Sequence, residues 1–163
     1  MRLRTAYLPL YFSALDMLNS FGRAIHTWYR GGKTMSLAFT VSAIIPASPQ
    51  DVYNAWLDSD GHTQMTGSPA HTSAELGASF DAWDGYISGK KLVLESGQRI
   101  VQSWRTTRFT DADEDSQIEV TLETVDDGTR IMLAHTNVPD GHESYEQGWV
   151  THYFEPMQTY FGA

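Results

Sequence analysis

The period of the apolar residues changes once along this chain, near residue 142, and that change limits the folds open to it. From residue 37 up to that point the sequence runs mostly in short alternating segments bounded by turn residues. Beyond it, Tyr145, Trp149, Tyr153, Met157 and Tyr160 recur at steps of three and four, with Val150, Phe154 and Phe161 widening the stripe. Alternation marks strands with one buried face, and the three-to-four step marks one face of a helix. A helix with so broad an apolar face must bury it, and the surface the preceding segments offer is the face of a sheet. Pro156 lies inside the stripe and removes one backbone donor, which predicts a kink or an early end near His152.

The earlier segments can be ordered. Leu37, Phe39, Val41, Ala43 and Ile45 alternate through a first strand that Pro46 stops. Ser48, Pro49 and Asp51 then form a helix start: a capping hydroxyl, a proline at the first helical position, and an acid at the positive end of the dipole. Val52, Tyr53, Trp56 and Leu57 are its apolar side, Asp60-Gly61 is expected to break it, and His62–Thr66 forms a second short helix. Six strands follow: 71–74, 78–83, 86–94, 99–109, one through Ile118, Val120 and Leu122, and 129–137, with turn signals at Asp84-Gly85 and Asp126-Asp127-Gly128. The acidic run Asp111, Asp113, Glu114, Asp115 reads as a solvated loop. The order is strand, two short helices, a meander of strands and one long helix, an α+β domain whose curved antiparallel sheet cannot wrap the helix completely and so leaves room for a cavity.

Charge separates the first 34 residues from the rest. They hold five bases (Arg2, Arg4, Arg23, Arg30, Lys33) and one acid (Asp16), a net of +4, while residues 35–163 hold six bases and nineteen acids, a net of −13. The acidic part disfavours nucleic acid and anionic membrane surfaces. Tyr11, Leu15, Leu18, Phe21, Ile25 and Trp28 give the basic head a helical stripe, but Pro9, Asp16 and Asn19 interrupt it too soon for a membrane span. Gly31-Gly32 are encoded by GGN codons, which can form a purine-rich stretch at about ribosome-binding distance from a start codon for Met35. The expectation is therefore a domain over 35–163, preceded by a basic extension that is either a mis-assigned start or a targeting segment. The chain has no cysteine, which fits a cytoplasmic location and excludes disulfide, thiol and cysteine–zinc chemistry.

Five stretches, in order, resemble the SRPBCC superfamily. Ile44–Trp56 resembles its A-x-P-x-x-V-[FY]-x-A opening, Glu75–Phe80 its E-x-G-G-x-F hairpin, and Arg99–Arg105 its R-[LIV]-V-x-[ST]-W strand. Gly128–His135 resembles its G-T-x-[LV]-x-[LV]-x-H strand, and Gly148-Trp149 the start of its last helix. The branch they resemble is the one named for homology to the activator of the heat-shock-protein-90 ATPase. The chain departs from the pattern at Met65-Thr66, where a tryptophan is common, at Ala78 in place of the second hairpin glycine, and at Pro156. The resemblance implies the helix-grip fold of START and birch-pollen-allergen domains, with an apolar cavity between sheet and terminal helix.

On that fold the cavity-wall residues expected are Trp56, Phe80, Trp83, Tyr86, Trp104, His135, Trp149, Tyr153 and Met157, with Met65 at the mouth. Tyrosine and tryptophan bring both area and a polar tip, so they can bury a ligand and orient it; each is equally able to be plain core. His135 shares a strand face with Ile131 and Leu133 and reads either as a neutral core imidazole or as a polar anchor or proton-transfer group. No metal site is expected, because His142-Glu143-x-x-Glu146 lacks the two-histidine spacing of a zinc helix. No cofactor is expected either, since no phosphate loop or dinucleotide fingerprint occurs.

The leading function is binding of a hydrophobic or amphipathic, lipid-like small molecule, which requires a cavity of about 300 Å³ or more. A protein-interaction module related to chaperone ATPase activators instead requires an exposed apolar patch. A cyclase- or hydrolase-type enzyme requires an acid–base pair inside the cavity. The sequence leaves open which of these holds, and whether there is any catalytic activity.

Overall fold

The computed structural model describes residues 36–163, so the helical stripe of residues 1–34 and the domain boundary at Met35 lie outside the described residues. The first strand, β1 (Ser36–Ile45), is followed by two short helices, α1 (Pro49–Leu57) and α2 (Ser59–Thr66). Six strands come next: β2 (Ala70–His71), β3 (Ser79–Ala82), β4 (Ile87–Glu95), β5 (Arg99–Thr106), β6 (Ser116–Val125) and β7 (Gly128–Pro139). Each pairs antiparallel with its sequence neighbour, and β1 closes on β7, giving one seven-stranded sheet in the order β1-β7-β6-β5-β4-β3-β2. The C-terminal helix comprises α3 (Tyr145–Trp149), a π-helical stretch Val150–Phe154, and α4 (Glu155–Phe161). The curved sheet, the helix pair after β1 and the long terminal helix make this the helix-grip architecture that the sequence implies.

Four local expectations are corrected. The break between α1 and α2 falls at Asp58, not at Asp60-Gly61. Asp58 is extended, ends α1, and turns its side chain onto the Gly61 N–H (2.8 Å) to cap α2. Gly61 sits inside α2 because a Cβ there would lie 2.9 Å from the Ala55 Cα, so its role is the close approach of two helices. The strand expected over 71–74 is a two-residue bridge, Ala70–His71, and the one expected to reach Phe109 stops at Thr106. Of the kink or early end expected near His152, the early end is not found, although the helix does lose its regular geometry there. It runs on to Phe161, and the wider π stretch occupies the turn before Pro156, where a regular helix would clash with the proline ring.

The core lies between the inner sheet face and the terminal helix. Ile45, Ile100, Ile118, Val120, Ile131 and Leu133 project from the strands onto Trp149, Tyr153, Phe154 and Met157, all buried. Gln158 donates from Nε2 to the Ile44 carbonyl (3.0 Å) and pins the far end of the helix to β1.

Candidate functional site

A cleft of about 430 Å³ opens beside the first turns of the terminal helix. Its floor is Trp104 on β5, its back wall Tyr145, Trp149 and Tyr153 on the helix, and its outer wall Trp83, Tyr86 and Ile87 at the β3–β4 hairpin. Ser144, Gln147, Thr151, His152 and Arg108 form the rim.

Five of the residues expected at a cavity wall thus line it: Trp83, Tyr86, Trp104, Trp149 and Tyr153. The other five do not. Met65, expected at the mouth, is 1% exposed in the core beneath α2, and Met157 is likewise enclosed. Phe80 packs its ring under the Lys91 ammonium, 4.5 Å from the centroid. Trp56 donates its indole N–H to Gln102 Oε1 (2.9 Å) and packs against the backs of Trp149 and Tyr153, one layer behind the wall.

His135 is also one layer behind, and its surroundings fix its chemistry. The Trp149 indole N–H donates to Nδ1 (3.1 Å), so Nε2 carries the ring proton and donates to Ser116 Oγ (2.8 Å). Ser116 in turn donates to the Trp104 carbonyl (2.7 Å). Both nitrogens are therefore used, and burial pushes the imidazole pKa down to about 3. His135 is a neutral strut that links Trp104 and Trp149, two of the three tryptophans of the cleft, not an anchor inside it.

The outer wall depends on an unusual turn. Trp83 and Asp84 both have positive φ (56° and 55°), a region L-residues visit rarely, and Gly85 follows at 79°. Asp84-Gly85 supplied the turn signal, but not that Trp83 would share its conformation. The turn brings the Trp83 indole edge-on to His152 (5.3 Å between centroids) and near Tyr153, so the hairpin tip leans on the π-helical stretch.

The polar groups of the cleft are few. The Trp104 indole N–H is buried without a hydrogen-bond partner, although the residue is only 3% exposed. The Trp83 N–H also lacks an acceptor at bonding geometry, while lying close enough to the Tyr153 hydroxyl to lower its pKa slightly. Burial is the larger effect on Tyr153 and raises its pKa well above the ordinary tyrosine value. Burial likewise pushes Tyr145 up to about 12; its hydroxyl shares a hydrogen bond with Thr106 Oγ1 (2.7 Å). Both phenols therefore stay protonated. Among the described residues that line the cleft none is a carboxylate, and no His, Asp and Glu side chains are grouped to hold a metal ion. No helix among the described residues is long and apolar enough to cross a membrane.

Sequence reasoning missed Ile87, Arg108, Ser144, Tyr145, Gln147, Gly148, Thr151 and His152. Tyr145 lies on the apolar stripe of the terminal helix and reads only as part of it; Gln147, Gly148, Thr151 and His152 lie off that stripe, which marks what packs on the sheet and is silent about a cleft beside it.

Comparison with known proteins gives a consistent result. The family model described as "Activator of Hsp90 ATPase homolog 1-like protein" matches residues 46–162. A human protein called activator of 90 kDa heat shock protein ATPase homolog 1 is 27% identical over 135 residues, 81% of this chain and 39% of its own length. The Dictyostelium discoideum activator homolog is 31% identical over 106 residues, covering 63% of this chain and 27% of that protein. The chain thus spans well under half of each of these relatives. Among solved structures, an HSP90 activator from Plasmodium falciparum superposes with a TM-score of 0.70 at 22% identity, covering 77% of this chain and 96% of that one, a likeness of fold.

Proposed function

The chain belongs to the Activator of Hsp90 ATPase homolog 1-like family, and from that premise we propose that it binds a hydrophobic or amphipathic small molecule in the cleft between its sheet and its terminal helix. The observation that carries this reading is the cleft itself, walled by six aromatic side chains, Trp83, Tyr86, Trp104, Tyr145, Trp149 and Tyr153. The surrounding rings contribute apolar burial at about 25 cal/mol per Å². The cleft volume of about 430 Å³ falls in the range of small-molecule sites. Native mass spectrometry of the purified protein, before and after organic extraction, tests the reading. The expected result is a retained small molecule that extraction removes, and that is absent when Trp104→Ala is purified in the same way. A protein that carries no ligand and binds none from a lipid extract overturns it.

A second reading, a protein-interaction module acting on a 90 kDa heat shock protein, is favoured by a different observation. Leu76 and Leu92 are 65% and 45% exposed. They lie side by side, because the Gly77 N–H bonds the Lys91 carbonyl and the Lys91 N–H bonds the Ala78 carbonyl. Paired exposed leucines suit a partner surface. The ATPase rate of a purified 90 kDa heat shock protein, measured with and without this chain, tests it. Stimulation that Leu76→Ser/Leu92→Ser abolishes is the expected result, and no change of rate with the unaltered chain overturns it. Either reading is of a cytoplasmic protein, which fractionation of native cells tests.

A further inference from the structure

Resting on the small-molecule reading, we propose that the ligand of the cleft is an amphipathic carboxylate whose head is held by Arg108 while its body lies against the tryptophans. The charge distribution of the described residues leads there. Arg99, Arg105 and Arg130 are each paired with a carboxylate: Glu119 and Glu95, Asp115, and Glu123. Lys91 is buried. Arg108 has no ion pair among the described residues, although acids outnumber bases by nineteen to six over residues 35–163. Among the described residues it is also the one fully charged side chain on the cleft rim, and no acid there competes for it.

The groups around Arg108 are donors. Its backbone N–H bonds Thr106 Oγ1 (3.2 Å), which fixes the start of the loop at the mouth. Thr106 Oγ1 is itself bonded to the Tyr145 hydroxyl, whose titration responds to both Arg108 and Tyr86. One end of the cleft thus gathers a guanidinium and two phenols, and the other, where Trp83 meets His152 and Tyr153, is mostly aromatic surface. That polarity matches a molecule with one anionic end and one apolar body. A planar guanidinium binds a carboxylate through two parallel hydrogen bonds, which adds direction to the attraction.

The remainder of the molecule pulls the other way. A strongly acidic body favours cations at long range, but surface charges are screened within about 8 Å at physiological salt. A guanidinium in direct contact is not screened to the same degree. The ligand's charge preference therefore separates the two effects.

The test uses three probes of one shape: 2-naphthylacetate, its neutral amide, and 2-naphthylethylammonium. Binding is read by quenching of tryptophan fluorescence at physiological salt in the full chain and in Arg108→Gln. The expected order is anion, amide, cation, with the anion about five- to tenfold tighter than the amide. In Arg108→Gln the anion falls to the amide's affinity while the amide is unchanged, and Arg108→Lys restores only part of the gap. An anion-to-amide ratio that Arg108→Gln leaves intact, or a cation that binds best, overturns the carboxylate assignment and leaves the small-molecule reading standing. Failure of all three probes to bind overturns both.

Discussion

Two buried histidines lie behind the same helix, and they are satisfied to very different degrees. His135, on β7, accepts from the Trp149 N–H at Nδ1 and donates through Nε2 to Ser116, which donates on to the Trp104 carbonyl. His62, on α2, has the opposite tautomer. Its Nδ1–H donates to the Trp56 carbonyl (2.9 Å), and Nε2 is left buried with no partner. Beside it lies Lys91, 1% exposed, whose ammonium has the Phe80 ring beneath it and a single hydroxyl partner, Thr72 Oγ1 at 2.7 Å. No carboxylate joins it among the described ion pairs. Burial lowers the pKa of both His62 and Lys91, and for His62 the charge of Lys91 adds to the effect. A connected network fixes geometry, whereas a partly connected one costs stability. The cleft wall is built on the first kind, and the region under α2 carries the second.

The largest effect is expected from cutting the satisfied network. His135→Leu leaves the Trp149 N–H without an acceptor and takes from Ser116 Oγ the donor it accepts, while Ser116 still bonds the Trp104 carbonyl, and should destabilise the fold by about 3 kcal/mol. It also changes the pH dependence. The native imidazole titrates near 3 and the unfolded one near 6.5, so between those values the unfolded state binds the proton first. The native chain should lose stability as pH falls from 6.5 toward 3, by at most about 5 kcal/mol from this residue. His135→Leu should lack that component, while His62, shifted the same way, keeps its own. Urea unfolding followed by tryptophan fluorescence at pH 7, 6, 5 and 4 measures both. A variant as acid-sensitive as the parent would show that the network is not the element that acid breaks.

The two sites also differ in how far the sequence exposes them. His135 was legible, because Ile131, Leu133 and His135 alternate on one strand and a buried imidazole must be neutral. Its partners were not, since Ser116 and Trp149 meet it only after β6 pairs with β7 and the helix crosses the sheet. The order of the elements followed from period alone, and the helix end did not, because a π turn absorbs a proline without leaving a mark in the apolar stripe. Lys91 was illegible for a clearer reason. Lys90-Lys91-Leu92 reads as two surface bases and a core leucine, yet Lys91 is buried and Leu92 is 45% exposed. The register of β4 against β5 is unbroken from Ile87 to Lys91, so Lys91 shares the inward face of Ile87 and Leu92 points out, and the shift comes only after it, before Val93. Arg108 escaped notice because nothing local sets it apart from the other bases; its lack of a partner exists only in three dimensions.

A smaller effect, of opposite sign, is expected from the region under α2. Lys91→Met removes a cation whose native pKa is about 8 against 10.5 in the ordinary state. A base with a lowered native pKa costs stability while it is protonated, and that cost is relieved as pH rises from 8 to 10.5, where only the unfolded state still holds the proton. The methionine variant should therefore be more stable than the parent by about 2 kcal/mol at pH 7. Its advantage should shrink through pH 8 to 10.5. Denaturant midpoints at pH 7, 9 and 10.5 check the sign. A methionine variant less stable than the parent at pH 7 would mean that Lys91 contributes to the fold and would erase the contrast with His135.

The smallest effect isolates the one partner that Lys91 has. Thr72→Val keeps the shape of the side chain and leaves the backbone bonds of Thr72 with Ser59 in place (Ser59 Oγ to the Thr72 carbonyl and Thr72 N–H to Ser59 Oγ, both 3.0 Å). What it removes is the acceptor of the Lys91 ammonium. In the parent chain this should cost about 1 kcal/mol, because a buried cation then has no oxygen at all. In the Lys91→Met background the same change should cost about 0.3 kcal/mol or less, since no charge remains to be served. The difference between the two backgrounds is the strength of the single contact that makes the cation tolerable where it lies. Equal costs in both would place the effect of Thr72 in its packing, and would mean that the Lys91 charge is held by the Phe80 ring alone.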